Sequence, residues 1–249
     1  MALTGKNAVV TGGASGIGRG ICLRLARDGA DVAILDLDGA GAQQVAQEMS
    51  ALGRRAIAIE TDVASAASVE AAMQEVHQKL GQVHILVNDA GICTFVPLMQ
   101  MSEEQWDRMM AVHLKGAFLC SKAVVPDMLA AAWGRIVNLS SVAGLNGGGP
   151  GLAHYAAAKG GIAGFTKALA QELGPSGVTV NAIAPGLIDT PMVRASGIPD
   201  EVFRQALRRT PLGRVGHADD IAAACAYLVS EEASFLTGQV ISPNGGTYT

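Results

Sequence analysis

Charge is scarce in this chain, and nowhere is it concentrated. Only 16% of its 249 residues are charged, with 18 Lys and Arg against 22 Asp and Glu, for a formal net charge of −4. The cations are scattered with no basic run, which excludes a nucleic-acid binder that relies on a broad electrostatic footprint. Cysteine is sparse too. Cys22, Cys93, Cys120 and Cys225 form no Cys-x-x-Cys and no close pair, which argues against a disulfide framework or a zinc site and fits a reducing compartment. The five histidines lack metal-ligand spacing, so no metal is assigned. No apolar run approaches the roughly 20 residues that span a bilayer. The opening MALTGKNAVVTGG has neither the charged nor the apolar region of a signal peptide. The expectation is a cytoplasmic protein without a membrane partner. No Pro/Ser-rich linker, charge block or repeat divides the chain, so residues 1–249 are expected to form one domain.

What is present is aliphatic sequence, 49% hydrophobic, and 31 glycines. Short Val/Ile runs recur between helical patterns. Strands are expected at 7–13, 31–36, 55–63, 84–91, 134–141, 179–186 and 239–246. Helices fall near 17–29, 40–52 and 66–80, and again between the later strands. Seven such strands alternating with helices predict a doubly wound α/β Rossmann fold, its seven-stranded parallel sheet covered on both faces.

Chemistry-bearing residues sit at the strand ends. After the first strand comes TGGASGIG, residues 11–18, opening a helix. Glycines there let backbone approach a pyrophosphate, and the unpaired N–H groups of a helix N-terminus favour an anion. The second strand ends in Asp36, eighteen residues past Gly18. A carboxylate at that place accepts hydrogen bonds from a ribose and repels a 2′-phosphate, which favours NAD over NADP. In AHYAAAKGG, residues 153–161, Tyr155 and Lys159 stand four apart and share one face of a helix.

In these motifs and their order the sequence resembles the short-chain dehydrogenase/reductase family from Lys6 to about Gly246. The shared features are the turn at 11–18, Asp62-Val63, Asn88-Asp89-Ala90-Gly91, Asn138-Leu139-Ser140-Ser141, Tyr155 with Lys159, and Pro185-Gly186-Leu187-Ile188-Asp189-Thr190. The resemblance implies hydride transfer between NAD(H) and a carbonyl or alcohol carbon. It places the cofactor against Gly12, Ser15, Gly16, Ile17, Gly18, Asp36, Asp62, Val63, Asn88, Ala90, Gly91, Tyr155, Lys159, Pro185, Gly186, Ile188 and Thr190. Tyr155 would be the general acid/base, its high phenol pKa lowered by the Lys159 cation. Lys159 would also hold the nicotinamide ribose, and Ser141 the substrate oxygen, with Ser140 as the alternative.

Three positions depart from the family's pattern. His113 stands where an asparagine is usual. It would serve a proton relay that titrates near neutrality, so His113→Asn is expected to keep activity and shift the pH–rate profile. Asp89 replaces a second asparagine, loses its donor capacity and receives no role. Asn244 replaces an aspartate, with an expected effect on packing.

The cleft residues are mostly small or apolar, so the expected substrate is a small secondary alcohol or ketone, aryl, alicyclic or aliphatic. Cys93 is expected to pack without acting as a nucleophile, and His154 to point away from the cleft. A 3-oxoacyl-[acyl-carrier-protein] reductase is the alternative. It is weakened by Ala130, Ala131, Ala132 and Trp133, where relatives that dock an acidic carrier have basic residues. A catalytically silent NAD-binding sensor is the alternative of another class, opposed by the intact Ser141, Tyr155 and Lys159. Residues 187–214 resemble a substrate lid, where Arg194, Arg208 and Arg209 would form a solvated face or meet an anionic tail. Helices near 103–130 and 155–174 are apolar on more than one side, and the resemblance implies a homotetramer paired through them.

Overall fold

Alternation explains the architecture strand by strand. In β1 (Asn7–Thr11) Ala8 and Val10 enter one apolar cluster and Val9 the other; in β2 (Asp31–Asp36) Val32 and Ile34 part from Ala33 and Leu35 in the same way. Both faces of each strand are buried because successive side chains point to opposite sides of a sheet that is covered twice. The computed structural model describes residues 2–195 and 200–249. Its remaining strands are β3 (Ala56–Glu60), β4 (Ile85–Asn88), β5 (Gly134–Leu139), β6 (Val178–Ile183) and β7 (Val240–Ile241). All seven pair in parallel, in the order β3-β2-β1-β4-β5-β6-β7. This is the single doubly wound Rossmann sheet expected.

On one face lie α1 (Gly16–Arg27) and α2 (Gly39–Ala51), with Ile21, Leu25, Val45 and Met49 inward. On the other lie α3 (Ala66–Lys79), α4 (Glu103–Met110) and α5 (Gly116–Ala131), then α6 (Val142–Asn146) and α7 (Ala153–Leu173). Val76, Val124, Met128 and Leu173 fill that side. Between α4 and α5 the chain makes a π-helical turn over Ala111–Lys115, which presents His113. Such turns often occur at functional sites. α8 (Pro191–Ala195) and α9 (Asp200–Arg208) form the described parts of the expected lid, of which residues 196–199 lie outside the described residues.

One helix went unassigned in the sequence. α10 (Ala218–Val229) buries Ile221, Cys225 and Leu228 beside α1. Its entry is fixed by Asp220, whose carboxylate accepts from His217 N–H at 2.8 Å. The other differences lie at strand ends. Six of the expected strands run two to five residues too far, because Gly12 to Gly13, Thr61 to Val63, Asp89 to Gly91, Ser140 to Ser141, Ala184 to Gly186 and Ser242 to Gly246 have left the ladder for loops. Those loops gather at the carboxyl ends of the strands. The strand order reverses between β1 and β4, which opens a crevice there.

Candidate active site

The crevice has two continuous halves. The larger, a cavity of about 210 Å³, is lined by Gly12, Ser15, Gly16, Ile17, Asp36, Val63, Ala90, Gly91 and Thr190, all expected at the cofactor. Local sequence builds it. Gly12 holds φ +71, and a Cβ there would come within 2.8 Å of Ala90 Cα. Only glycine lets β1 turn this close to the strand-four loop. The Thr11 hydroxyl draws that loop in, accepting from the Asp89 and Ala90 N–H groups at 3.1 Å each. Ser15 caps α1 without a side-chain hydrogen bond, so the first N–H groups of the helix face the cavity. A cradle of backbone N–H groups beside a close glycine turn suits a dinucleotide's pyrophosphate.

At the far end of this half, the Asp36 carboxylate accepts from Ala14 N–H at 2.9 Å and Asp38 N–H at 3.0 Å. Asp62 does not line the cavity. Its carboxylate takes the Ala64 N–H at 2.9 Å and lies 3.6 Å from Arg108, a lining residue the sequence reading did not single out. Gly18 sits one turn into α1, where a Cβ would meet Gly12 O and Asp89 Oδ2. Asn88 turns away from the cavity. Its amide donates to Asn138 Oδ1 at 2.8 Å and to Ser121 Oγ at 3.3 Å, tying β4 to β5 and α5.

The smaller half, about 90 Å³, brings together Ser141, Tyr155, Lys159, His113, Pro185, Gly186, Ile188 and Thr190. Ile17, Asp89, Gly91, Thr190 and Met192 line both halves, so the two meet around Asp89. Ser140 and Ser141 are separated by their partners. The Ser140 hydroxyl is buried and donates to Lys159 O at 2.8 Å, whereas Ser141 Oγ accepts from Ala143 N–H at 3.1 Å and faces the Tyr155 phenol.

Tyr155 departs from expectation. Burial raises its phenol well above the ordinary value, the nearby Cys93 adds to this, and Ser141 only partly offsets it. The Lys159 cation does not outweigh this: its Nζ donates to Leu139 O at 2.6 Å, 5.8 Å from the tyrosine ring centre. Burial brings Lys159 itself down to about 8, against the pull of Asp89. Asp89, the residue given no role, is pushed up to about 7 by burial, while Lys159 and the Gly18 N–H act the other way. Without ligand, Tyr155 is a protonated phenol.

His113 also differs from expectation. Burial, reinforced by Lys159, holds it well below the usual histidine value, so it stays neutral where titration was expected. Its ring stands edge-on to Tyr155 with centroids 5.5 Å apart. Nε2 faces both Ile92 N–H, at 3.1 Å, and Ile92 O, at 2.8 Å, while Nδ1 is buried without a partner.

The remaining expectations sort by their contacts. His154 is buried away from the catalytic cavity, with Nε2 3.1 Å from Thr94 Oγ1. Burial raises the Cys93 thiol, which keeps it from being an activated nucleophile. Arg194 grips Asp189 at 2.9 and 2.8 Å, and Arg208 meets Glu201 at 2.6 Å; Arg209 is exposed. Asn244 ties the C-terminal loop by accepting from Gly246 N–H at 2.7 Å and donating to Tyr248 O at 2.8 Å, the packing role expected.

Comparison with known proteins agrees with this geometry. A family model described as enoyl-(acyl carrier protein) reductase matches residues 12–248. The chain belongs to the short-chain dehydrogenase/reductase family. It is therefore an oxidoreductase. It is 44% identical over 247 residues to a 3-oxoacyl-[acyl-carrier-protein] reductase, FabG, of Staphylococcus aureus, covering 98% of both chains. The FabG of Pseudomonas aeruginosa is 42% identical over 248 residues, covering 100% of this chain and 99% of its own. A third relative is the (2S)-[(R)-hydroxy(phenyl)methyl]succinyl-CoA dehydrogenase subunit BbsD of Thauera aromatica, 41% identical over 246 residues, covering 99% and 98%. These names agree better with the 3-oxoacyl reductase alternative than with a small free alcohol. Among the described residues no helix is long and apolar enough to cross a membrane, and no cluster of three His, Cys, Asp or Glu could hold a metal ion.

Proposed function

We propose that the chain interconverts a 3-oxoacyl thioester and its 3-hydroxyacyl thioester, using NAD(H). The observation that carries the catalytic part is Ser141, Tyr155 and Lys159 in one cavity that continues into the dinucleotide half. The thioester part is supported by relatives along the whole chain whose names describe carrier-protein or CoA thioesters. The nicotinamide, when bound, supplies or accepts the hydride. Tyr155, held as a phenol, gives its proton to the ketone oxygen as the carbon takes hydride, and recovers one from solvent afterwards; oxidation runs the same steps backwards. Ser141 donates a hydrogen bond to that oxygen and keeps it against Tyr155. Lys159 leaves the Leu139 carbonyl to hold the ribose, and the described helices α8 and α9 act as a lid that excludes water.

NAD is the preferred cofactor on the strength of Asp36, whose carboxylate repels a 2′-phosphate. Arg108, the cation lining that half, lies beside Asp62. Asp36→Ala is expected to lower the NADH-over-NADPH preference in kcat/KM by about tenfold, on the order of 1.4 kcal/mol; an unchanged preference would count against the assignment.

A small free ketone is the second reading, favoured by the uncharged run from Ala130 to Trp133 before β5. Arg135, inside β5, is buried, stacked 4.3 Å from the centre of the Trp133 ring and 3.3 Å from Glu231. The deciding experiment compares 3-oxoacyl-CoA, 3-oxoacyl-carrier-protein and simple aryl and alicyclic ketones under NADH, with Tyr155→Phe as control. Higher kcat/KM on the thioesters supports the first reading, and higher values on the free ketones sink it. The homotetramer is proposed from Phe118 and Leu129, large apolar side chains exposed on α5, and a monomer by sedimentation would refute it.

A further inference from the structure

The junction of the two half-cavities holds a carboxylate that the reaction does not use. Asp89 lines both halves, and its carboxylate accepts from the Gly18 N–H in the first turn of α1. Its backbone is pinned by Thr11, and its Oδ2 lies 2.7 Å from where a Cβ on Gly18 would be. The charged and titratable groups that share its cavity or act on its charge are Cys22 on α1, Asp36 at the end of β2, Arg108 on α4, His113 in the π-helical turn, Tyr155 and Lys159 on α7, and Cys225 on α10. The cations among these are engaged elsewhere: Lys159 Nζ is bound to Leu139 O, and Arg108 lies 3.6 Å from Asp62.

A diphosphate seated on the α1 N-terminus brings two negative charges to this junction. An ionised Asp89 would be a further anion in a place poorly screened by water, whereas the neutral carboxylic acid has one donor and one acceptor to offer, as an amide does. We propose that the dinucleotide complex forms with Asp89 neutral, so that NADH binding at mildly alkaline pH draws a proton from solvent onto this carboxyl. The inference rests on the dinucleotide reading of the cleft.

The sign follows from linkage. Asp89 is raised to about 7, so the free protein holds the proton below that pH and loses it above. Affinity for NADH is then constant at low pH and falls above neutrality toward about tenfold per pH unit. At pH 7.5, above this value, binding is accompanied by net proton uptake. Lys159 titrates nearby, at about 8, so proton counts alone do not separate the two groups. An infrared difference spectrum does, because a protonated carboxyl has a C=O stretch that neither a carboxylate nor an ammonium shows.

The test is NADH binding at pH 7.5 to the intact enzyme. It is followed by calorimetry in two buffers of different ionisation enthalpy and by infrared difference spectroscopy. Wild type is expected to take up the proton and gain the carboxylic-acid band. D89N is expected to bind NADH at least as tightly without that band, and D36N to bind more weakly and keep it. Binding by wild type without the band, persistence of the band in D89N, or failure of D89N to bind NADH would each overturn the proposal. Failure of wild type to bind either NADH or NADPH would instead refute the dinucleotide reading beneath it.

Discussion

The two halves of the cleft are built on opposite electrostatic terms. In the dinucleotide half the backbone does the positioning, and the carboxylates in and around it away from the junction have backbone partners: Asp36 takes two N–H groups, Asp62, just outside the cavity, takes one, and Asp38 accepts from Gly41 N–H at the start of α2. In the catalytic half the polar groups are side chains withdrawn from water. Tyr155 and Asp89 are raised, Lys159 and His113 lowered, and His113 Nδ1 has no partner. A half made of backbone fixes a shape. A half made of desolvated acids and bases holds protonation states that water would not allow, and that is where proton transfer is to be expected.

The comparison predicts that the halves fail differently. Tyr155→Phe removes the proton donor and nothing from the dinucleotide cradle. Turnover is expected to fall about 10²–10⁴-fold while NADH affinity by fluorescence titration stays the same; retained turnover would remove Tyr155 from the mechanism. Gly12→Ala should act the other way. Its Cβ would lie 2.8 Å from Ala90 Cα and 2.9 Å from Ala90 N, at a φ of +71 that disfavours a side chain. Overpacking of this kind costs about 1–3 kcal/mol, so a lower Tm and an NADH affinity weakened roughly tenfold or more are expected. Native affinity in that variant would mean that the turn is not the shape-fixing element.

The same division decides what could be read from sequence. Strand alternation gave all seven strands, because burial on both faces leaves uninterrupted Val, Ile and Ala runs such as Val9-Val10 and Ile85 to Val87. The glycine turn was legible because chirality and close approach leave few other residues possible. Strand ends were less so, since Asp89 and Ser140 still look like strand when the ladder has stopped. Protonation was not legible at all. Spacing placed Lys159 beside Tyr155, but not the Leu139 carbonyl that takes its Nζ, nor the burial that outweighs its charge. Arg108 carries no motif, and only folding brings it to the wall of the larger half beside Asp62.

His113 offers the smallest effect and the finest test of the contrast. One ring nitrogen faces both a donor and an acceptor on Ile92, and a histidine nitrogen can serve only one of them at a time. The other nitrogen then stays buried and unmatched. An asparagine has an amide oxygen for the Ile92 N–H and an amide nitrogen for the Ile92 carbonyl, so His113→Asn can satisfy both and leave no orphan. Removing one buried unsatisfied group is worth about 1–3 kcal/mol, offset in part by the smaller side chain. A gain of about 1 kcal/mol is expected, read as a higher urea midpoint with an unchanged slope. Since the histidine is neutral throughout the physiological range, the neutral limb of the pH–rate profile should not move. A shifted limb would show that His113 titrates during turnover and belongs with Tyr155 and Lys159 among the groups that carry the proton. An unshifted limb with increased stability would show a catalytic half that tolerates an unmatched nitrogen for reasons of packing.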